Sequence, residues 1–103
     1  MTLQELASKL DALGYPVAYS HFKEAKDPPF ICYLAPDTDP FCADNQVLHE
    51  LINVDIELYV TNKSPTIEKQ IKDLLNANEL PWSYDEQHIQ SEGVFQCTFS
   101  IQI

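Results

Sequence analysis

Apolar residues near the start of the chain recur at helical spacing. Leu3, Leu6, Ala7, Leu10 and Leu13 fall on one side, and Gln4, Glu5, Ser8, Lys9 and Asp11 fill the other. Thr2, with Glu5 three residues later, has the spacing of a capping box, in which hydroxyl and carboxylate each take one orphan amide. Gly14 predicts the stop, because glycine enters the left-handed region at little cost. A second helical pattern follows Ser64-Pro65, an N-cap with proline at the first helical position. Its predicted buried stripe is Ile67, Ile71, Leu74 and Leu75, with Glu68, Lys69, Lys72 and Asp73 facing outward.

The remaining pattern reads as strands and connections. Val17-Ala18-Tyr19 predicts a short strand, and the polar stretch His21 to Asp27, closing on Pro28-Pro29, a connection. The run Phe30 to Leu34 predicts a strand buried on both faces and ended by Pro36. Two prolines and three acids then predict a loop from Pro36 to Asn45. Leu48, Ile52, Val54, Ile56, Leu58 and Val60 share one strand phase, while His49, Asn53, Asp55, Glu57 and Tyr59 take the other. Glu50 interrupts the apolar phase and predicts a bulge or frayed start nearby. Asn62-Lys63 reads as a turn, Leu80 to Tyr84 as a short strand holding the only tryptophan, and Ser91-Glu92-Gly93 as another turn. The last ten residues alternate, with Phe95, Cys97, Phe99, Ile101 and Ile103 inward and Val94, Gln96, Thr98, Ser100 and Gln102 outward.

The expected order is α-β-β-β-α-β-β in a single domain over 1–103. Two amphipathic helices must hide their stripes, which predicts an α+β two-layer sandwich: a largely antiparallel sheet of four or five strands with both helices on one face. The other face is expected to be partly polar.

Charge changes the picture next. Of 103 residues, sixteen are Asp or Glu and six are Lys or Arg, for a net charge of −10. So few cations cannot grip a phosphate backbone, which excludes sequence-specific nucleic-acid binding. No apolar window reaches the length of about eighteen residues that spans a membrane, and the acidic N-terminus does not resemble a signal peptide. Three cysteines without a C-x-x-C predict reduced thiols in a cytoplasm.

Candidate chemistry is thin. Two glycines cannot build a phosphate-cradling loop. His21, Cys32, Cys42, His49, His88 and Cys97 are too scattered along the chain to predict a metal site, and Cys97 falls in an apolar strand phase as a small hydrophobe. Cys42 with His49 is the best nucleophilic pair the residues allow. Asp37-Thr38-Asp39 opens like a calcium loop, but Phe41 falls at the next ligand position and no glycine follows. Asp55 and Glu57 share one face of a strand, read as a solvated face. No enzyme, no catalytic residue and no cofactor is expected. Phe41, in a proline-flanked acidic loop, is a candidate interface anchor, because an aromatic side chain buries a large area at little entropic cost; folding back under its own loop is the competing reading.

Several segments together carry a family resemblance: Val17-Ala18-Tyr19-Ser20-His21-Phe22 after a short leading helix, Pro28-Pro29-Phe30-Ile31-Cys32-Tyr33, Ala43-Asp44-Asn45, and Glu57-Leu58-Tyr59-Val60-Thr61-Asn62-Lys63 before a helix containing Glu68 and a closing strand pair. In these the chain resembles the tail-terminator (tail-completion) and head–tail joining proteins of siphophages and prophages. The resemblance covers most of the chain and implies a structural role without catalytic residues. Similar proteins form rings, commonly hexameric, that end the tail tube and meet the head connector. Tail-tube and connector proteins would then be the partners, the host cytoplasm and later the virion neck the location. A DNA-passing ring gains from a lining that repels phosphate, which an acidic subunit supplies. The expected contacts are Asp37, Asp39, Phe41, Asp44 and Asn45 with the free strand edges. Two other classes compete: an acidic DNA-mimic inhibitor, and a small-ligand-binding regulatory module on a ferredoxin-like sheet.

Overall fold

The computed structural model describes residues 1–43 and 46–103, with side chains outside 40–50. The elements are α1 (Leu3–Asp11), β1 (Val17–Tyr19), β2 (Phe30–Ala43), β3 (Gln46–Val60), α2 (Pro65–Ala77), β4 (Ser83–Ile89) and β5 (Val94–Gln102). They form the expected α-β-β-β-α-β-β order in a five-stranded sheet ordered β1-β2-β3-β5-β4.

The sheet is mixed. β2–β3, β3–β5 and β5–β4 are antiparallel, but β1 runs parallel to β2, with Val17 beside Ile31. The segment from Ser20 to Pro29 carries the chain back along the sheet, so β2 starts again at the same end as β1. Sequential strands joined by a short turn would instead have paired antiparallel.

Directly opposed residues in an antiparallel pair share a face, so the register separates the two faces. Val54, Ile56 and Leu58 on β3 stand beside Ile101, Phe99 and Cys97 on β5, and Leu58 also stands beside Ile31 on β2. This face is dry: all seven side chains are at most 4% exposed. Leu6 and Leu10 of α1 and Ile67, Ile71 and Leu75 of α2 join the same cluster, giving the two-layer sandwich. The helix ends follow local chemistry. The Thr2 hydroxyl accepts from the Glu5 amide at 3.1 Å, but the Glu5 carboxylate takes the Thr2 hydroxyl proton rather than an orphan amide, so the expected reciprocal arm is not made. Gly14 turns the chain at φ +95°. α2 ends in a Schellman motif, Glu79 N–H to Asn76 O at 3.1 Å and Leu80 N–H to Leu75 O at 2.9 Å, with Glu79 itself at φ +56°.

Four local expectations are corrected. The stretch read as a loop from Pro36 continues β2 as far as Ala43, opposite β3, which starts at Gln46. Proline and aspartate disfavour strand interiors, but this is an edge, where a missing N–H costs no ladder bond. Leu80–Tyr84 is not the fourth strand: Leu80 completes the α2 cap and β4 begins at Ser83. Glu68, expected outward, is only 4% exposed. Val94, also expected outward, is buried at 8% because the Ser20–Pro29 segment covers that end of the second face.

Candidate functional site

Among the described residues no helix lies over the second sheet face, since both helices join the core on the first. β2 departs from regular pairing between Leu34 and Asp37, where an extra residue shifts its phase. That shift brings Asp37 opposite Asn53, on the open face, and Asp39 opposite Leu51. Without it, the acids at 37 and 39 would continue the phase of Ile31 and Tyr33 and point toward the helix layer.

The open face is a cross-strand polar ladder. Asn53 Nδ2 donates to Asp37 Oδ1 at 2.7 Å and to Asp39 Oδ2 at 3.1 Å. Gln102 Nε2 donates to the same Asp39 oxygen at 2.7 Å and to Asn53 Oδ1 at 2.9 Å. Ser100 Oγ donates to Asp55 Oδ1 at 2.8 Å, and Gln96 Nε2 to Glu57 Oε2 at 2.8 Å. Asp55 and Glu57, read from the sequence as solvated, are thus half-buried and paired with β5. Amides and hydroxyls, rather than cations, compensate the carboxylates.

Beyond Ile52, whose backbone exchanges two bonds with Ile103, β2 and β3 continue as a two-stranded ribbon. No helix joins it among the described residues, and it gives the chain a long dimension of 50 Å against 29 and 23 Å. Pro36 and Pro40 lie on its outer edge. Since Ile52 points its N–H at β5, Asn53 and Leu51 point theirs at β2, and alternation past the bulge turns positions 38 and 40 of β2 outward. Pro40 therefore removes a donor where nothing on β3 would receive it.

The opposite end of the open face holds an aromatic cleft of about 470 Å³. Phe30 and Tyr59, cross-strand partners, stack at 4.8 Å, and Phe22 meets Phe30 edge-on at 5.4 Å. Lys26 lies over the Phe22 ring at 5.9 Å, and Lys23 lines the rim. Burial, then the Glu57 carboxylate, pushes the Cys32 thiol in the cleft wall up to about 11 and holds the Tyr59 phenol above its usual value.

A third constellation sits under α2. Lys63 Nζ lies 3.0 Å from Glu68 Oε2 and 2.7 Å from Glu86 Oε1, and donates to Tyr84 Oη at 3.2 Å. Glu68, Glu86 and Cys97 bring three metal-type ligand atoms within 4.8 Å of one another. The Lys63 ammonium already occupies the position a cation would take, so the cluster reads as an internal ion pair. The Cys97 thiol is raised, chiefly by burial, and Glu86 is lowered, chiefly by its bond to Lys63. Sequence spacing held a signal for this site: Glu68, Ile71 and Leu75 are related as i, i+3 and i+7, which places Glu68 on the buried stripe.

Of the expected interface residues, Asp37 and Asp39 are brought together at the ribbon root, joined by Asn53. The Phe41 backbone pairs with His49; the side chains of Phe41, Cys42 and His49, and residues Asp44 and Asn45 entirely, lie outside what is described. Cys32 and Cys97 are buried free thiols. Ser20 Oγ and His21 Nδ1 stand 3.2 Å apart on an exposed turn, and no carboxylate bonds that imidazole among the described residues. No helix among them is long and apolar enough to cross a membrane. No family model matches the chain, and no curated protein matches it in sequence.

Proposed function

We propose that this chain is a structural subunit of phage or prophage morphogenesis: a ring-forming tail terminator at the head–tail interface, contacting tail-tube and head-connector proteins. One observation carries the reading. A small domain carries β2 and β3 on as a two-stranded ribbon past the last pairing of β3 with β5, with Asp37 and Asp39 at its root. Ordering such a segment costs backbone entropy, and a neighbouring subunit is what would return that cost. The resemblance in the leading helix, the Val17–Phe22 stretch and the strand ending at Lys63 supports the same role, and the −10 charge suits a channel that DNA traverses. On this reading the protein acts in the bacterial cytoplasm during assembly and then in the virion neck.

The test is deletion of the gene in an inducible lysogen, followed by negative-stain electron microscopy. DNA-filled heads apart from overlong tails are the expected result. Filled heads beside unattached tails of normal length would move the role to head–tail joining, and intact infectious virions would remove it.

A second reading draws on the file of carboxylates Asp39, Asp55 and Glu57 along one face, as an acidic mimic of a phosphate track. Their bonds to Asn53, Gln102, Ser100 and Gln96 leave them less free to meet an outside cation, which favours assembly. Salt-sensitive binding to a basic DNA-processing enzyme would reverse that order.

A further inference from the structure

We infer that the aromatic cleft at one end of the open face binds a free aromatic amino acid as its zwitterion, ring inward and both charged groups at the rim. The inference goes beyond the assembly reading and does not depend on it.

The floor and the rim of the cleft differ in chemistry. Phe22, Phe30 and Tyr59 give it an aromatic floor, and Phe22 meets Phe30 edge-on, the kind of contact that a further ring extends. The polar groups at floor level are engaged within the chain: the Tyr59 hydroxyl donates to Glu57 Oε1 at 3.1 Å and accepts from Gln96 Nε2 at 3.2 Å. The rim is charged with both signs. Lys23 and Lys26 line it together with Glu24 and Glu92, and all four are exposed. A chain with sixteen acids thus places two of its six cations on this one rim. Among the described residues none of the four enters an ion pair, whereas Lys63 and Lys69 are both held by acids. Lys26 meets only the Phe22 ring beneath it.

That combination selects among ligand classes. A simple anion would meet Glu24 and Glu92 as well as the lysines, and a simple cation would meet the lysines as well as the acids. A ligand with one charge of each sign finds a counter-charge for both. An α-amino acid carries that pair, and an aromatic side chain covers the apolar floor. The walls come from different parts of the chain, Lys23, Glu24 and Lys26 from the Ser20–Pro29 segment and Glu92 from the β4–β5 turn. The cleft volume of about 470 Å³ lies in the lower part of the range for small-molecule sites.

The experiment is a titration of the full, isotopically labelled chain followed by amide chemical shifts in NMR. L-phenylalanine is the probe, beside analogues that each lack one part: phenethylamine the carboxylate, phenylpropionate the ammonium, and L-alanine the ring. L-phenylalanine should bind saturably with a Kd on the order of 1 mM, the affinity of about a dozen well-placed non-hydrogen atoms. Its shifts should concentrate at residues 20–27, 30–32 and 92–94. Phenethylamine and phenylpropionate should each bind at least about threefold more weakly, the scale of one exposed ion pair, and alanine at least about tenfold more weakly, since the buried ring is gone. Two variants separate the charges, with circular dichroism checking that each folds. Lys23→Ala/Lys26→Ala should remove the preference for phenylalanine over phenethylamine, and Glu24→Gln/Glu92→Gln the preference over phenylpropionate. No saturable shift, an analogue that binds as tightly as phenylalanine, or variants that keep both preferences would each overturn the site. Shifts centred on the polar ladder between β3 and β5 would overturn it equally.

Discussion

The side-chain amide of Gln102 donates to Asp39 Oδ2 at 2.7 Å across 63 residues of sequence, tying the closing strand to the root of the ribbon. Asn53 completes the tie by bonding Asp37 and Asp39 together. Two carboxylates two residues apart on one strand repel, and the two amides are what hold them. Asn53→Ala should therefore loosen the ribbon more than the domain. Expected is a stability loss of about 1 kcal/mol, as for one net hydrogen bond to a charged group at an exposed site, with faster amide exchange concentrated at residues 37–39 and 51–53. Uniform acceleration across β3 and β5 would show that the ladder supports the whole sheet instead.

Lys63 is half-exposed, but the Glu68 it neutralises is buried. Lys63→Met should destabilise by about 2 kcal/mol, below the range for a fully buried pair because water reaches the ammonium. Adding Glu68→Gln to that variant should recover part of the loss, since a neutral amide costs less to bury than an unpaired carboxylate. Urea midpoints at constant slope measure both. A double variant less stable than Lys63→Met would contradict the account.

Glu86 holds its proton more weakly in the folded chain than when unfolded, first because Lys63 bonds it. Its contribution is therefore present above the ordinary carboxylate value of 4.5 and is lost as pH falls through the lower folded value. Cys32 runs the other way. Its thiol rises from 9.0 to about 11, so its contribution is complete below 9.0 and disappears as pH climbs between those two values. Stability should form a plateau bounded by these limbs. Glu86→Gln should lie below wild type on the plateau and converge with it on the acid side; a constant gap at every pH would refute the ion-pair role.

Glu79 occupies the left-handed C′ position of α2, at φ +56°, where a Cβ costs about 1 kcal/mol or more. Glu79→Gly should raise stability by about 0.5 kcal/mol once the greater entropy of unfolded glycine is subtracted, a Tm gain of about 2–4 °C. Calorimetry decides; a lower Tm would mean that the Glu79 side chain contributes something its backbone conformation conceals.

Most of the layer structure was readable because its signals are local. Leu6 and Leu10, Ile67 and Ile71, and the alternation through β3 and β5 all express one period with one dry side. The misreadings arose where partners distant in sequence overrule local preference. Pro36, Asp37 and Pro40 are poor strand formers, yet β3 pairs with Asp37 and Pro40, and Pro36 falls in the bulge between Leu34 and Asp37. Glu68 looked like solvated helix surface until Lys63 and Glu86 supplied its counter-charges. The charge at 37 and 39 was visible in the sequence, but the amides that hold these acids were not, since Gln102 reaches Asp39 only through the β3–β5 register. The aromatic cleft was the least legible feature: Phe22, Phe30, Tyr59 and Val94 converge from three parts of the chain, and no period connects them.

The ribbon rests on two strands alone, and this gives the protein a dimension it can change independently of the rest. A core helix or a central strand cannot be lengthened without re-registering every neighbour. Matched additions of two residues to each arm of the ribbon would preserve which side chains face which way, leave the β3–β5 register unchanged, and extend it by about 7 Å per step. The pairings of Asn53 with Gln102 and Ile52 with Ile103 mark where that freedom begins. A domain built this way holds its stability in one part and its length in another, so the ribbon can change length while thermal tolerance stays the same.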